Sequence, residues 1–308
     1  MSHVSLRIRD GIEAWETLEE RPTGSREKVT VAEPGTGALS IFKRPKEGRE
    51  HQTWSELAGS FIAGDMLGWP VQRTGLGLRR GQPGNLLAYF FDPDGGERLV
   101  EGWRLCRDAK PDFDDRVGTD HSLALLEQVA DTGLDRYGIS REAFFDFWAR
   151  AIAFDTLISN TDRHAENWGI VESAAGNRIA PLYDNATSLG CGIDGKGLAR
   201  HVGTGGIVAE QIARFTARGR HHLRIDGQAK RGTPFTDICS AFLAAHPNRA
   251  GPFRQVADLD LKPAMTLFDD LAETAFPEAG RNHAAGRAEH MYAILVAGQA
   301  RVREALRN

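Results

Sequence analysis

The chain has 308 residues, of which 41% are hydrophobic and 26% are charged, and its formal net charge is −4. This composition is that of a soluble globular protein with one large domain or two lobes, and it gives no overall attraction to nucleic acid or membranes. We expect no membrane span and no secretory signal, because the sequence has neither a long apolar run nor a basic-then-apolar amino terminus. The three cysteines are scattered without metal-ligand spacing, which favours a reducing cytoplasm.

The amino-terminal part of the chain predicts a mainly β structure with one helix. Residues 1–20 suggest a strand and a short helix. Residues 28–32 and 38–43 alternate in polarity on either side of a Pro-Gly-Thr-Gly turn, which predicts a hairpin. From residue 54 to 66 the apolar positions have helical spacing over three turns. Residues 85–91 predict a further strand.

The middle of the chain predicts a buried helix that is followed by a polar loop and a hairpin. Residues 141–158 are apolar on nearly every side, and Ser140 is placed to cap the first turn. The loop begins at Ser159. Residues 168–171 and 179–183 then predict two short strands.

The carboxy-terminal part predicts helices at 234–245, 262–274 and 284–307. Pro234 is suited to the first helical position, because its missing N–H would have no partner there in any case.

The polar loop carries an ordered set of oxygen-bearing side chains, Asp162, Asn167 and then Asp184. Phosphoryl transfer from ATP needs one carboxylate to orient or deprotonate the attacking hydroxyl, and further oxygens to hold Mg²⁺ against the phosphates. An amide and a single carboxylate suit Mg²⁺, which keeps several water ligands. The alternative interpretation is a polar loop that only ends the preceding helix.

A phosphate-binding loop is predicted at Thr23, Gly24 and Ser25, between two strands, where backbone N–H groups can approach phosphate closely. One glycine in a turn is a weak signal, and an ordinary turn is the alternative. The glycine cluster at 203–206 is a rival, although it lacks the Gly-Lys-Ser/Thr ending of a P-loop. We interpret that cluster as a mobile substrate or activation segment.

Lys43 is the candidate for neutralising the inner phosphates, because it ends an apolar strand, and Lys46 is the competing choice. Glu56, on the next helix, is the candidate partner of the lysine. A solvated glutamate at a helix start is the alternative for Glu56.

Three further loop residues receive supporting roles. His164 is predicted to order the loop by bonding a backbone carbonyl or a carboxylate. Arg163 either neutralises phosphate or supports the loop, and Asn160 is placed to end the helix in a left-handed conformation.

The loop at 160–167 resembles the Asn-x-Asp-x-His-x-x-Asn motif of HipA-like serine/threonine kinases, and phosphoinositide kinases carry a related Asp-Arg-His-x-x-Asn. Weaker similarities to the HipA-like family cover its phosphate loop, lysine strand, glutamate helix and the segment after the hinge, at residues 22–28, 41–45, 54–57 and 96–102. The resemblance spans roughly residues 20–190.

The resemblance implies a two-lobed α+β fold of the protein-kinase type, with a β-rich lobe over residues 1–105, a helical lobe over residues 106–308 and ATP between them. In that family the position of Asp162 holds the catalytic base, and those of Asn167 and Asp184 hold Mg²⁺. The nucleotide would be bound by residues at the positions of Lys43, Glu56, Gly24, Ser25 and His164.

The resemblance also implies a protein substrate that carries Ser or Thr and a toxin-like role with a DNA-binding antitoxin. Autophosphorylation at Thr23 or Ser25 is one interpretation of the phosphate loop, and hydroxyls that only cap a turn are the alternative. The chain departs from the family pattern in three places. We expect a short form without the additional amino-terminal subdomain of many members, Asn185 stands where an aromatic residue is common, and Arg26 stands where Gln is common.

Two other functions share these residues. A lipid or small-molecule kinase would use the same loop, although no amphipathic membrane segment is evident. A nucleotide-binding pseudokinase would act as a binding module, and the complete Asp, Asn and Asp set argues against it.

The segment from Lys196 to Arg231 has a net charge of +6 and three histidines. It is interpreted either as a solvated basic face or as a docking surface for an acidic partner or RNA. With Phe215 as its single aromatic residue, base stacking is not favoured, so we expect no direct nucleic-acid binding.

Overall fold

The computed structural model describes residues 6, 8–21, 28–114, 118–226, 232–274 and 281–308. The predicted phosphate loop at Thr23, Gly24 and Ser25, together with Arg26, lies outside these residues. The chain forms two compact units. The first comprises residues 1–90, 185–212 and 260–294, and the second comprises residues 91–184, 213–259 and 295–308. The first unit thus includes later segments that a single division at residue 105 assigns to the second lobe.

The described strands are β1 (Ile8–Arg9), β2 (Glu16–Arg21), β3 (Lys28–Ala32), β4 (Leu39–Lys43), β5 (Thr74–Arg79), β6 (Gln82–Ala88), β7 (Arg98–Glu101), β8 (Gly169–Glu172), β9 (Arg178–Ile179), β10 (Val202–Gly203), β11 (Gly206–Ile207), β12 (Arg220–His221) and β13 (Thr233–Pro234). The described α-helices are α1 (Gln52–Phe61), α2 (Gly102–Ala109), α3 (Leu123–Thr132), α4 (Arg141–Ile158), α5 (Gly195–His201), α6 (Ala209–Arg218), α7 (Phe235–Ala245), α8 (Gly251–Ala257), α9 (Lys262–Thr274) and α10 (Arg281–Ala305). Short 3₁₀ turns cover Ile12–Ala14, Asp135–Tyr137 and Pro247–Arg249, and a π-helical turn at Ile62–Met66 extends α1.

The first unit contains a six-stranded sheet in the order β1-β5-β6-β4-β3-β2. Its pairs are antiparallel except for β1 with β5. The predicted hairpin is present as β3 and β4, with Val29 opposite Phe42. Alternation along β3 buries Val29 and Val31 against Phe42 and Leu86, and this places the carboxyl end of β4, with Lys43, at the edge of an apolar core.

Helix α1 packs on the same sheet and buries Trp54 and Ala58, which lie four residues apart on one face. Asn85 of β6 donates through Nδ2 to the carbonyl of Thr53 at 3.0 Å, so the helix start is tied to the sheet. The predicted helix from 54 to 66 is therefore present, with a π-helical last turn.

Helix α4 lies at the centre of the second unit and packs against α3, α7 and α8. Ser140 caps it as predicted, because its Oγ accepts a hydrogen bond from the N–H of Ala143 at 3.1 Å. Phe144 and Trp148 are fully buried, and both rings contact Trp168 edge to face. This aromatic cluster anchors the loop that follows α4 to the helix itself.

A three-stranded antiparallel sheet, β7-β8-β9, completes the surroundings of the loop. Gly169 begins β8 opposite Glu101, and a Cβ at Gly169 would lie 2.3 Å from the carbonyl oxygen of Val100. Only a glycine allows the loop to enter the sheet this closely.

Three sequence predictions are corrected by the structure. Ser159, with φ of 53°, takes the left-handed conformation that ends α4, whereas we predicted Asn160 for this role. The strand predicted at 179–183 is limited to Arg178–Ile179. Pro234 pairs with Arg220 in β13, so α7 begins at Phe235. For Pro234, the tertiary pairing of β13 with β12 outweighs the local helix pattern.

The glycine cluster at 203–206 forms a tight antiparallel turn between β10 and β11, with Gly203 opposite Gly206. None of the helices in the described part of the chain has both the length and the apolar content needed to cross a bilayer.

Candidate active site

The loop between α4 and β8 is held in a compact shape by hydrogen bonds between its own residues. The N–H of Asp162 donates to Asn160 Oδ1 at 3.1 Å, and the N–H of His164 donates to the carbonyl of Asp162 at 2.8 Å. The N–H of Asn167 donates in turn to the carbonyl of His164 at 2.9 Å. The Asp162 side chain remains 45% exposed, so it is accessible from solvent.

Asn167 is buried, and its carboxamide is oriented by the loop. Its Nδ2 donates to the carbonyl of Asp162 at 2.6 Å and lies 3.2 Å from His164 Nε2. Because the amide nitrogen is used in these contacts, the amide oxygen is the atom that the side chain can offer to a cation.

Both ring nitrogens of His164 contact other residues of the loop. In addition to the Asn167 contact, its Nδ1 accepts the N–H of Glu166 at 3.3 Å. Its Nε2 is 3.9 Å from the Asp162 carboxylate, and its ring meets that of His222 edge to face at 5.8 Å.

Asp184 follows the hairpin formed by β8 and β9 and adopts a left-handed backbone, with φ of 51°. A non-glycine residue rarely takes this conformation, and residues that do so cluster at functional sites. The preceding residue, Tyr183, is fixed to the loop because its hydroxyl donates to the carbonyl of Glu166 at 2.8 Å. Burial raises the pKa of Tyr183 well above its ordinary value, so the phenol keeps the proton that it donates.

Arg163 connects the segments that carry Asn167 and Asp184. Its Nη1 donates to the carbonyl of Asn167 at 3.0 Å and to that of Tyr183 at 2.6 Å. The side chain is fully buried. Of the two roles suggested by the sequence, these contacts favour loop support, because the guanidinium is bonded to protein atoms and buried away from solvent.

The charge of Arg163 is balanced by Asp155 of α4, which lies one turn before the helix ends. Arg163 Nη2 and Nε donate to the two carboxylate oxygens at 2.8 and 3.0 Å, in a bidentate pair. Burial alone would raise the pKa of Asp155, but the Arg163 charge and the hydrogen bonds from His221 and Arg163 lower it to about 2. Asp155 is therefore an anion at neutral pH.

The segment around Trp168 is also fixed by hydrogen bonds from the start of α2. Gly102 donates to the carbonyl of Trp168, and Trp103 to that of Ala165, both at 2.8 Å. A Cβ on Gly102 would lie 2.1 Å from the Trp168 ring. The Trp168 indole N–H also donates to Nε2 of His121 at 3.2 Å, and burial lowers the pKa of His121 well below its ordinary value, which keeps this ring a neutral acceptor.

The predicted lysine and glutamate come together in the first unit. Lys43 Nζ lies 3.8 Å from Glu56 Oε2, and the two side chains are 5% and 1% exposed. The other carboxylate oxygen, Oε1, accepts the backbone N–H of Asn185 at 2.9 Å. Gly59 permits this approach, because a Cβ there would lie 2.8 Å from the Cβ of Asn185.

The donor set fits Mg²⁺ better than a transition metal. In the described residues, no three His, Cys, Asp or Glu side chains form a metal-binding cluster. The metal ligands that the sequence predicts, the Asn167 amide and the Asp184 carboxylate, are oxygen donors, and such sparse protein ligation by oxygen is typical of Mg²⁺.

Sequence reasoning missed several residues that shape the candidate site through their contacts, namely Asp155, His221, Gly102 and Gly59. One signal was available for Asp155, because it is the single charged residue in the apolar run 151–158, where a charged side chain requires a buried partner. His221 gave no such signal, since it lies in a segment that resembles a solvated basic face.

The protein-family model of the HipA-like C-terminal domain matches residues 21–245. The kinase CtkA, a proinflammatory kinase of Helicobacter pylori, has a similar structure with a TM-score of 0.75 at 17% identity, covering 98% of this chain and 99% of CtkA. HipA of Shewanella oneidensis MR-1, solved in complex with HipB and operator DNA, matches with a TM-score of 0.58 at 15% identity over 97% of this chain and 70% of that chain. No curated protein matches the chain in sequence. The fold is thus a mixed α/β fold like that of CtkA, and the chain belongs to the HipA-like family.

Proposed function

We propose that this protein is an ATP- and Mg²⁺-dependent serine/threonine protein kinase of the HipA-like toxin type. The observation that carries the proposal is the fixed loop that presents Asp162 to solvent while Arg163 holds the backbone beside Asn167 and Asp184. Family membership and the fold support the same reaction class.

In the proposed reaction, the Asp162 carboxylate takes the proton of a Ser or Thr hydroxyl. The hydroxyl oxygen forms a bond to the γ-phosphorus of ATP, the bond from that phosphorus to the bridging oxygen breaks, and ADP leaves with the electron pair. Mg²⁺, when bound, supplies charge neutralisation for the phosphates. Asn167 and Asp184 would hold it.

Lys43 is proposed to bind the inner phosphates, with Glu56 as its partner. The buried ion pair supports this assignment, because burial strengthens an ammonium's attraction to phosphate. Gly24, Ser25 and His164 complete the proposed nucleotide-binding residues.

The HipA-type assignment includes a toxin role with a DNA-binding antitoxin as partner. HipA of Shewanella, which forms a complex with HipB and operator DNA, supports this part by analogy. The three cysteines are buried and free of disulfides, which supports a reducing compartment such as the cytoplasm. Growth arrest on expression of the wild type, relieved in Asp162→Asn, tests the toxin role.

The experiment that tests the kinase activity uses purified protein, ATP labelled at the γ-phosphate, Mg²⁺ and a cell lysate. The expected result is acid-stable label on Ser or Thr, mapped by mass spectrometry and lost with a metal chelator. Label on lipid or a small molecule would favour the other kinase classes, and nucleotide binding without any transfer would identify a binding module.

A further inference from the structure

We infer that Arg163 is a positioning residue that sets the spacing of the proposed metal ligands Asn167 and Asp184. Asp155 and His221 fix the position of its guanidinium. This inference rests on the proposed function. It goes beyond the loop motif, because it assigns a role to His221, which lies in the basic segment.

Hydrogen bonds from all three nitrogens fix the orientation of the Arg163 guanidinium. Two of its nitrogens are taken by the two oxygens of Asp155, and the third donates to both the Asn167 and Tyr183 carbonyls. One rigid plane therefore links helix α4, the residue that supplies one proposed metal ligand, and the residue directly before the other.

His221 fixes the carboxylate at the base of this arrangement. Its Nδ1 accepts the N–H of Leu223 at 3.0 Å, so the ring proton is on Nε2, which lies 3.2 Å from Asp155 Oδ2. Asn160 Nδ2 donates to the other oxygen, Oδ1, at 2.9 Å. Because both oxygens carry a second donor in addition to Arg163, the carboxylate cannot rotate without losing hydrogen bonds in a fully buried position.

The spacing of the two ligands matters because Mg²⁺ requires near-ideal octahedral geometry. Substitution of residues that hydrogen-bond to metal ligands commonly changes metal affinity by about 10–100-fold. A lysine at position 163 would keep the charge. It has no planar fork, however, and cannot hold the Asp155 carboxylate and two carbonyls in one plane.

The test measures binding of Mn²⁺, as a spectroscopic substitute for Mg²⁺, in the presence of a non-hydrolysable ATP analogue, by electron paramagnetic resonance. We expect Arg163→Lys to weaken Mn²⁺ binding about 10-fold or more, while affinity for the analogue without metal changes less than about twofold. Arg287→Lys is the matched control. Arg287 is also fully buried and bonds two carbonyls, Gly190 and Ile193, and its loss should leave Mn²⁺ affinity unchanged.

A second pair of variants keeps the test decisive if Arg163→Lys does not fold. His221→Gln retains a donor for Asp155 and should bind Mn²⁺ more tightly than His221→Ala. Wild-type Mn²⁺ affinity in folded Arg163→Lys, or equal affinities in the two His221 variants, would overturn the inference. Failure of the wild type to bind Mn²⁺ with the analogue would overturn it together with the metal assignment. Binding without phosphate transfer would overturn the kinase proposal alone.

Discussion

The Glu56 carboxylate accepts a hydrogen bond from the backbone N–H of Asn185 at 2.9 Å. The same carboxylate is paired with Lys43 through its other oxygen. Asn185 directly follows Asp184 in the chain, so one buried glutamate contacts both the proposed phosphate-binding lysine and the residue next to a proposed metal ligand. Glu56 therefore does more than the lysine partner role that its sequence position predicts.

Lys43→Ala should lower kcat/KM by roughly 10²-fold, because it removes a positive charge from a low-dielectric site where transition-state charge is stabilised. Lys46→Ala is the control, since Lys46 is the rival lysine three residues after Lys43, and it should change kcat/KM by less than about twofold. Steady-state assays with varied ATP measure both values, and circular dichroism checks that each variant is folded. The opposite ranking would show that Lys46 binds the phosphates.

Gly59→Ala should weaken both the fold and ATP binding. The new Cβ would lie 2.8 Å from the Cβ of Asn185, so either helix α1 or the segment after Asp184 must shift. Such overpacking costs about 1–3 kcal/mol. Thermal unfolding and the KM for ATP measure the two effects.

Gly286→Ala is the matched control for this substitution. Its Cβ would meet Val202 at 3.7 Å, which is ordinary contact, and replacing a helical glycine should stabilise the fold by about 0.4–1 kcal/mol. An equal loss of stability in both variants would argue against a specific contact between Gly59 and Asn185.

Parts of the site could be predicted because their signals are local. Helix α4 has an apolar pattern on nearly every side and a serine cap, and the structure has the predicted bounds, Arg141–Ile158. The Lys43 and Glu56 pair spans one strand, one connection and the first turns of a helix, so its partners come from adjacent elements.

The remaining contacts join distant segments and leave no local trace. Asp155 meets Arg163 across the end of a helix, but it meets His221 across 66 positions. Glu56 and Asn185 are 129 positions apart. Pairing of β12 with β13 likewise draws Pro234 out of the helix that its local pattern predicts. Such partners are set by the tertiary fold, and the periodicity of the sequence does not reveal them.

Asp155→Asn should change how stability depends on pH. The pKa of Asp155 is lowered from 3.8 to about 2 in the folded protein, so its ionised form stabilises the fold fully above pH 3.8 and this contribution is lost as pH falls toward 2. The difference corresponds to roughly 2 kcal/mol. Between about pH 4 and 2, the free energy of unfolding should therefore fall less steeply in Asp155→Asn than in the wild type.

Chemical denaturation at several pH values measures this dependence. The variant should also be less stable at neutral pH by about 3–5 kcal/mol, because Arg163 would remain buried without its anion. Parallel curves for wild type and variant across the acidic range would contradict a depressed pKa at Asp155.

Single-turnover transfer of the γ-phosphate by wild type, Asp162→Asn and Asp184→Asn tests most directly whether Asp162 is the base and Asp184 a metal ligand. Each substitution preserves side-chain size, so each variant should fold and should have nearly the same unfolding temperature as the wild type. Loss of the base should slow transfer by about 10²–10⁴-fold, and loss of the metal ligand by at least as much. Wild-type rates in either folded variant, with ATP and Mg²⁺ at saturation, would contradict the role proposed for that residue.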